Sequence, residues 1–262
     1  MTNIWRFIDS GPCSATYNMA LDEAIATVVR KDNAPPTLRL YCWDIPSVSI
    51  GYFQKISEIN TEYCSANNIP VVRRITGGRA ILHNHEMTYS FAVKTTHGIF
   101  SKGLLDSYKK LSRAFNSALL KVGLFPETKL RRKSPHSRSS LCFHATSYGE
   151  ITINNKKVIG AAQKRWIDGL LQQGCIPYSI NMDDTVKVFR IENAHETKNF
   201  VFGLKDIFPD FNPDAFKKIL KASFEEIFHI WLIPSSPTPE EISLARKIET
   251  QKYLTREWNF RR

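Results

Sequence analysis

Cys142 and Lys157 are the residue types from which this chain could make an activated nucleophile. The thiolate is the reactive form of cysteine, and a neighbouring lysine ammonium lowers the thiol pKa. Both lie in the run CFHATSYGEITINNKKVIGAAQKR, residues 142–165. A second run, RRITGGRAILHNHEMTYS at residues 73–90, carries different chemistry. In it, Thr76-Gly77-Gly78 is a turn signal after the basic, extended segment 71–75. Adjacent glycines let backbone amides face a ligand, and Arg73, Arg74 and Arg79 add fixed positive charge, a combination suited to a phosphate or a carbonyl oxygen. It is not a Walker loop, because it lacks the terminal Gly-Lys-Ser/Thr and precedes a strand instead of a helix. His83 has the chemistry of a base or a ligand, and a lone histidine is also commonly structural. The plainer alternatives stay open at this point: a hairpin with a buried cysteine for the first run, and a tight turn with solvated arginines for the second.

The first run must be held by a hairpin. Ile151 and Ile153 alternate with Thr152 and Asn154, as in a half-buried strand. Asn154-Asn155-Lys156 predicts the turn, since asparagine tolerates positive φ, and Lys157 to Lys164 would run back. Lys157 then starts the return strand at the end away from Cys142, so the segment Phe143 to Tyr148 must fold over to bring thiol and amine together. Gly160, Ala161 and Ala162 leave room for a close-approaching ligand. Further strands are expected at 37–43, 47–52, 70–75, 79–83, 87–93 and 169–179. A helix capped by Ser14 is expected through about Val29, with Tyr17, Leu21, Ala24, Ile25 and Val28 on its apolar stripe and Asp22 and Glu23 solvated. Helices are also expected at about 104–122, 212–229 and 239–251, with 233–237 as a linker. Strand runs beside separate helices predict an α+β fold, a mostly antiparallel sheet flanked by helices. The expected division is a catalytic domain over 1–232, with its core at about 32–215, and a helical tail over 233–262 without a separate accessory domain.

The chain has 262 residues, enough to bury one large core, and a net charge of +11. That balance suits nucleic acid or acidic protein partners without selecting between them. The five cysteines show no CxxC and no metal spacing, so no metal is expected. Cys13, Cys42, Cys64 and Cys175 read as ordinary buried or partly buried thiols. The odd count and the lack of a signal peptide favour a reducing cytoplasm. No apolar run is long enough to span a membrane.

Together the two runs resemble the lipoate-protein ligase and octanoyltransferase family, which shares a catalytic fold with biotin-protein ligases. The family signature RRxTGGxAxxH stands here from Arg73 to His83, and KVxGxAQxR from Lys157 to Arg165. Residues 38–43, 49–54 and 17–23 match as well. Two features resemble the cysteine-dependent octanoyltransferase branch more than the ATP-using ligases: Arg79 stands where ligases usually carry a third glycine, and Cys142 is present. Glu86, Thr88, Tyr89, Ser90, Ser147 and Tyr148 fit that branch, and Gly149 is an insertion into its pattern.

The resemblance implies that Cys142 carries an acyl thioester and that Lys157 lowers its pKa. It implies octanoyl taken from acyl carrier protein and placed on a lysine of a lipoyl domain, with the glycine cleavage H protein as the expected acceptor, and with neither ATP nor a metal. Arg73, Arg74, Gly77, Gly78, Arg79, His83, Tyr148, Gly160 and Ala162 are the implied substrate-binding residues, with backbone amides near Gly77-Gly78 as oxyanion donors. The acyl slot is expected between the small residues 160–162 and the strand faces around Ile81 and Tyr148. Lys129, Arg131, Arg132, Lys133 and Arg138 form either a docking patch for an acidic carrier or a solvated loop. The expected protein is a monomer. The rival readings are an ATP-dependent lipoate ligase, an amidotransferase between lipoyl domains, and a basic nucleic-acid or partner-binding module.

Overall fold

Strands with large apolar residues on one side and small or polar ones on the other build an eight-stranded sheet. The computed structural model describes residues 3–96, 98–128, 151–192 and 202–262. Cys142, Tyr148 and the basic run 129–138 lie outside them. In chain order the strands are β1 (Ile4–Cys13), β2 (Thr37–Trp43), β3 (Ser47–Ile50), β4 (Val71–Arg73), β5 (Ile81–His83), β6 (Glu86–Lys94), β7 (Glu127–Thr128), β8 (Ile151–Ile153), β9 (Lys156–Arg165), β10 (Gly169–Pro177) and β11 (Trp231–Pro234). The large sheet runs β11-β1-β2-β6-β10-β9-β8-β7, and a three-stranded sheet runs β4-β3-β5. In the large sheet β1 is parallel to both β2 and β11, and the remaining pairings are antiparallel. The α+β, mostly antiparallel architecture expected from the sequence is the one observed.

The two faces of the large sheet bury different partners, as the two-residue period of a strand dictates. Leu38, Leu40, Met87, Tyr89, Phe91, Leu170 and Ile176 pack against helices α3 (Leu104–Lys121) and α5 (Pro213–Phe228) through Leu111, Phe115, Leu220 and Phe224. The opposite face, with Tyr41, Ala92 and Leu171, packs on α1 (Ala15–Arg30) and on Ala245 of α6 (Pro239–Ile248). The Ser14 hydroxyl caps α1 by accepting from the Tyr17 amide, and Asn212 caps α5. The small sheet closes its own cluster with α2 (Thr61–Ala66) and α4 (Met182–Val188) through Val48, Ile50, Cys64, Ala80 and Val188.

Several elements depart from the sequence expectation. β1, β7, α2, α4 and β11 were not anticipated. β11 occupies the start of the segment read as a linker, and its pairing with β1, more than two hundred residues earlier, leaves no local signal. The last helix stops at Ile248 and continues as a wider π turn, Glu249–Tyr253, before a short α7 (Arg256–Asn259). Asp22, expected to be solvated, is fully buried, and Glu23 is paired with Lys252 and Tyr253. No helix among the described residues is long and apolar enough to cross a membrane.

Candidate active site

Cross-strand partners share a face, so pairing alone assembles one wall of a cleft. Gly160 pairs with Cys175, Ala162 with Gln173, Cys175 with Thr88, and Thr88 with Tyr41. These residues line a cleft of about 360 Å³, its open mouth included, between the large and the small sheet. Ser49, Arg74, Ile81 and His83 line the opposite side, and Met19 of α1 reaches in from one end. Gly160 and Ala162, without bulky side chains on that face, leave the space, while Ala161 and Gly174 between them face the other side, where a Cβ on Gly174 would meet the Tyr89 ring.

Lys157 reaches the cleft side of β9 by way of a bulge. Thr152 pairs with Lys157 and Ile151 with Ile159, which leaves Val158 unmatched. One extra residue in a strand resets which side chains share a face. Ile151 and Ile153 belong to the core beside α3, so Thr152 and its partner Lys157 take the opposite face, the face of Gly160 and Ala162. Lys157 is 2 % exposed. It sits three residues along β9 from Gly160 and does not itself line the cleft. The turn that feeds this strand is formed as its sequence suggests, with Asn154 and Asn155 at φ 50° and 62°, the positive pair of a type I′ hairpin.

The Thr76–Arg79 loop is held from three sides. The Thr76 hydroxyl donates to Gln173 Oε1 at 2.9 Å. Gly78, at φ 85°, sets its carbonyl against Gly51, where a Cβ would collide with it, and lies against the Ala162 side chain. Arg74 points inward: Nη1 donates to the Ser49 carbonyl at 2.9 Å, and Nη2 donates to the carbonyls of Gly77 and Arg79 at 2.9 and 2.7 Å. Arg73 is likewise buried, its Nη1 donating to the carbonyls of Gly51 and Gln54 at 2.9 and 2.7 Å. Burial pushes the Arg73 guanidinium down to about 10, with Arg261 and Arg262 nearby adding to the effect. Both arginines therefore spend donors on loop carbonyls.

His83 has both ring nitrogens engaged. Nδ1 lies 2.7 Å from Glu86 Oε1 and Nε2 lies 2.7 Å from Ser49 Oγ. The Glu86 carboxylate also accepts from Thr88, whose hydroxyl accepts from Trp43 Nε1 at 2.8 Å. Arg74 Nη1 donates to Ser49 Oγ at 3.0 Å, and the His83 ring stacks on Trp43 at 4.0 Å. Nδ1 faces the Glu86 carboxylate and Nε2 faces the Ser49 hydroxyl, so both edges of the ring are engaged. The imidazole is thus a fixed polar wall of the cleft.

Asp22 organises the floor. Its two oxygens accept from Arg39 at 2.7 Å, Ser90 at 2.6 Å, Tyr41 at 2.9 Å and Gln173 at 2.8 Å. One carboxylate on α1 therefore ties β2, β6 and β10, and through Gln173 it reaches Thr76. Burial, and then the Asp22 charge, hold the Tyr41 phenol well above its ordinary range. The sequence reasoning missed Ser49, Glu86, Gln173 and Asp22 as parts of one site. The signal available was polar residues, Arg39, Ser90 and Gln173, at strand positions whose neighbours are apolar.

Small strand residues wall the cleft, the glycine turn closes it, and a buried lysine stands on the wall strand. The sequence pattern of the lipoyl protein ligase A/B catalytic domain matches residues 14–225, and the chain belongs to that family. It is an acyltransferase. Octanoyltransferase LipM of Carboxydothermus hydrogenoformans is 36% identical over 266 residues, covering 98% of each chain. Octanoyltransferase LipM of Bacillus anthracis is 32% identical over 273 residues, again covering 98% of each. Among solved structures, lipoate-protein ligase A bound with ATP superposes with a TM-score of 0.82 at 25% identity, covering 99% of both chains.

Proposed function

We propose that this octanoyltransferase takes octanoyl from acyl carrier protein onto Cys142 and passes it to a lysine of a lipoyl domain, with the glycine cleavage H protein as acceptor. The observation that carries the reading is the bulge at Val158, which puts buried Lys157 on the face of the small-residue cleft wall. A buried ammonium favours an adjacent thiolate, because each offsets the other's desolvation. In the first step the Cys142 thiolate attacks the carbonyl of the pantetheine thioester, the new C–S bond forms, and the pantetheine thiolate leaves. In the second, the neutral amine of the acceptor lysine attacks the acyl-Cys142 carbonyl, an amide forms, and the Cys142 thiolate is expelled as the amine loses its proton. Exchange of a thioester for an amide is downhill, so the proposed route uses neither ATP nor a metal. Backbone amides of the Gly77-Gly78 turn are candidate donors to the oxyanion, one such donor being worth roughly 3 kcal/mol of barrier. The cytoplasm, where acyl thioesters and reduced thiols coexist, is the proposed setting.

The test is intact-protein mass spectrometry after incubation with octanoyl-acyl carrier protein without ATP, on the parent and on Cys142→Ala. The expected result is a hydroxylamine-labile octanoyl adduct on the parent alone. Modification of a lipoyl domain only when ATP and free octanoic acid are supplied would replace this reading with a ligase.

A further inference from the structure

Four cations gather beside the cleft with no carboxylate within ion-pair distance among the described residues: Lys55, Lys164, Arg261 and Arg262. The ion pairs of the described residues engage other lysines and arginines. The backbone holds these cations close to one another. The Ile56 amide donates to the Arg262 carbonyl at 2.8 Å, and Arg261 Nη2 donates to the Tyr52 carbonyl at 3.2 Å. The Arg261 guanidinium lies between two rings, 4.0 Å from Tyr52 and 4.1 Å from Trp258. The Lys164 ammonium stands 5.6 Å from Tyr52, and Arg262 stands 5.5 Å from Phe53. Ring contacts of this kind fix long basic side chains in place and reduce the entropy lost when a partner binds.

The patch adjoins the site. The Tyr52 amide donates to the Thr76 carbonyl at 2.9 Å, and Gly51 packs on Gly78, which meets Ala162 of the cleft wall. Phe53 and Ile167, 68 % and 99 % exposed, offer apolar surface at its margin. Lys164 also stands over the Trp166 ring next to Ile167, which joins the two sides. Arg261 lowers the Tyr52 phenol below its ordinary range, in keeping with a positive field there.

We propose that this Lys55–Lys164–Arg261–Arg262 surface docks the acidic carrier protein that presents the acyl thioester to the cleft. The proposal rests on the transferase reading above and extends it to where the donor sits. Uncompensated positive charge selects an acidic surface, and the exposed Phe53 and Ile167 fit a protein partner, whose interfaces favour aromatic and apolar contact beside arginine. Single-stranded nucleic acid needs open ring faces for base stacking. Arg261 covers faces of Tyr52 and Trp258, and Lys252 stands 4.0 Å over Trp258.

The experiment is calorimetric titration of octanoyl-acyl carrier protein into the full chain, at two salt concentrations, for the parent and for Lys55→Glu/Lys164→Glu/Arg262→Glu. Arg262→Gln and Lys164→Gln are carried as single, milder variants in case the triple variant does not fold. The triple variant is expected to bind roughly tenfold or more weakly and to lose most of the parent's salt dependence, with each single variant weakened in proportion. All the proteins titrated, the parent included, carry Cys142→Ala, so no acyl-enzyme forms and binding alone is read. Variants that bind the carrier like the parent overturn the patch and leave the transferase reading intact. A parent that binds no carrier overturns the donor assignment and the patch together. Weakened binding of an apo lipoyl domain with unchanged carrier binding also overturns the proposal, because the surface then belongs to the acceptor.

Discussion

Asp22 shows what a single buried carboxylate does when every lone pair is used. It accepts from Arg39, Ser90, Tyr41 and Gln173, and both it and Arg39 are wholly inaccessible to solvent. Removing one partner of such a pair leaves an uncompensated charge, which costs far more than the pair itself contributes. Asp22→Asn is therefore expected to lower unfolding stability by about 3–5 kcal/mol, read as a shift of the urea midpoint, and an unchanged midpoint would count against the hub. The residue was misread from sequence for a physical reason. An acid on a helix is usually solvated, and the four groups that make burial tolerable come from three strands, 17 to 151 residues away. Cys175 and Cys64 were legible, since apolar strand and helix neighbours alone bury them, and burial pushes the Cys64 thiol up to about 11. His83 was legible as a polar group near a ligand space. Its two fixed partners were not, because Ser49 and Glu86 reach it from two different strands.

Among the elements, the most local ones were the most readable. The β8–β9 hairpin follows from alternation and an Asn-Asn turn, and α1, α3 and α5 end within a residue or so of where their caps and stripes put them. The bulge at Val158 was not readable, because it is a property of register between two strands and not of either strand alone. Yet it decides the face on which Lys157 lies. The junction of the β3 end with the Thr76–Arg79 loop is equally non-local. Gly51 has no room for a Cβ against the Gly78 carbonyl, which is backbone and cannot rotate away. Gly51→Ala is expected to cost about 1–3 kcal/mol of stability and to lower acyl transfer more than the stability loss explains, by displacing Gly78 from Ala162. Transfer rates at a temperature where parent and variant are both fully folded check this, and equal rates would show that the loop tolerates the shift.

At the scale of the whole molecule, segments far apart in sequence complete one another. The Arg6 guanidinium pairs with buried Glu241, and the Trp258 indole donates to the Arg73 carbonyl at 2.7 Å. Asn259 Oδ1 accepts from the Arg73 amide at 2.9 Å. The last described residues thus brace the segment that leads into the glycine turn. Trp258→Ala is expected to destabilise by roughly 3 kcal/mol and to raise the KM for the acyl donor more than it lowers kcat, since it frees the support of Tyr52 and Arg261. A loss confined to kcat would place Trp258 in the chemistry instead. The overall composition, basic and apolar enough for one large core, permitted this architecture without revealing it. The parallel pairing of β1 with β11 also has a consequence for synthesis. While the ribosome is still making the chain, β1 has an open edge that nothing covers until residues 231–234 emerge. An unpaired edge is a template for wrong pairing. The nascent protein is therefore most exposed to aggregation late in translation, and pauses before residue 231 would be the ones a chaperone has to cover.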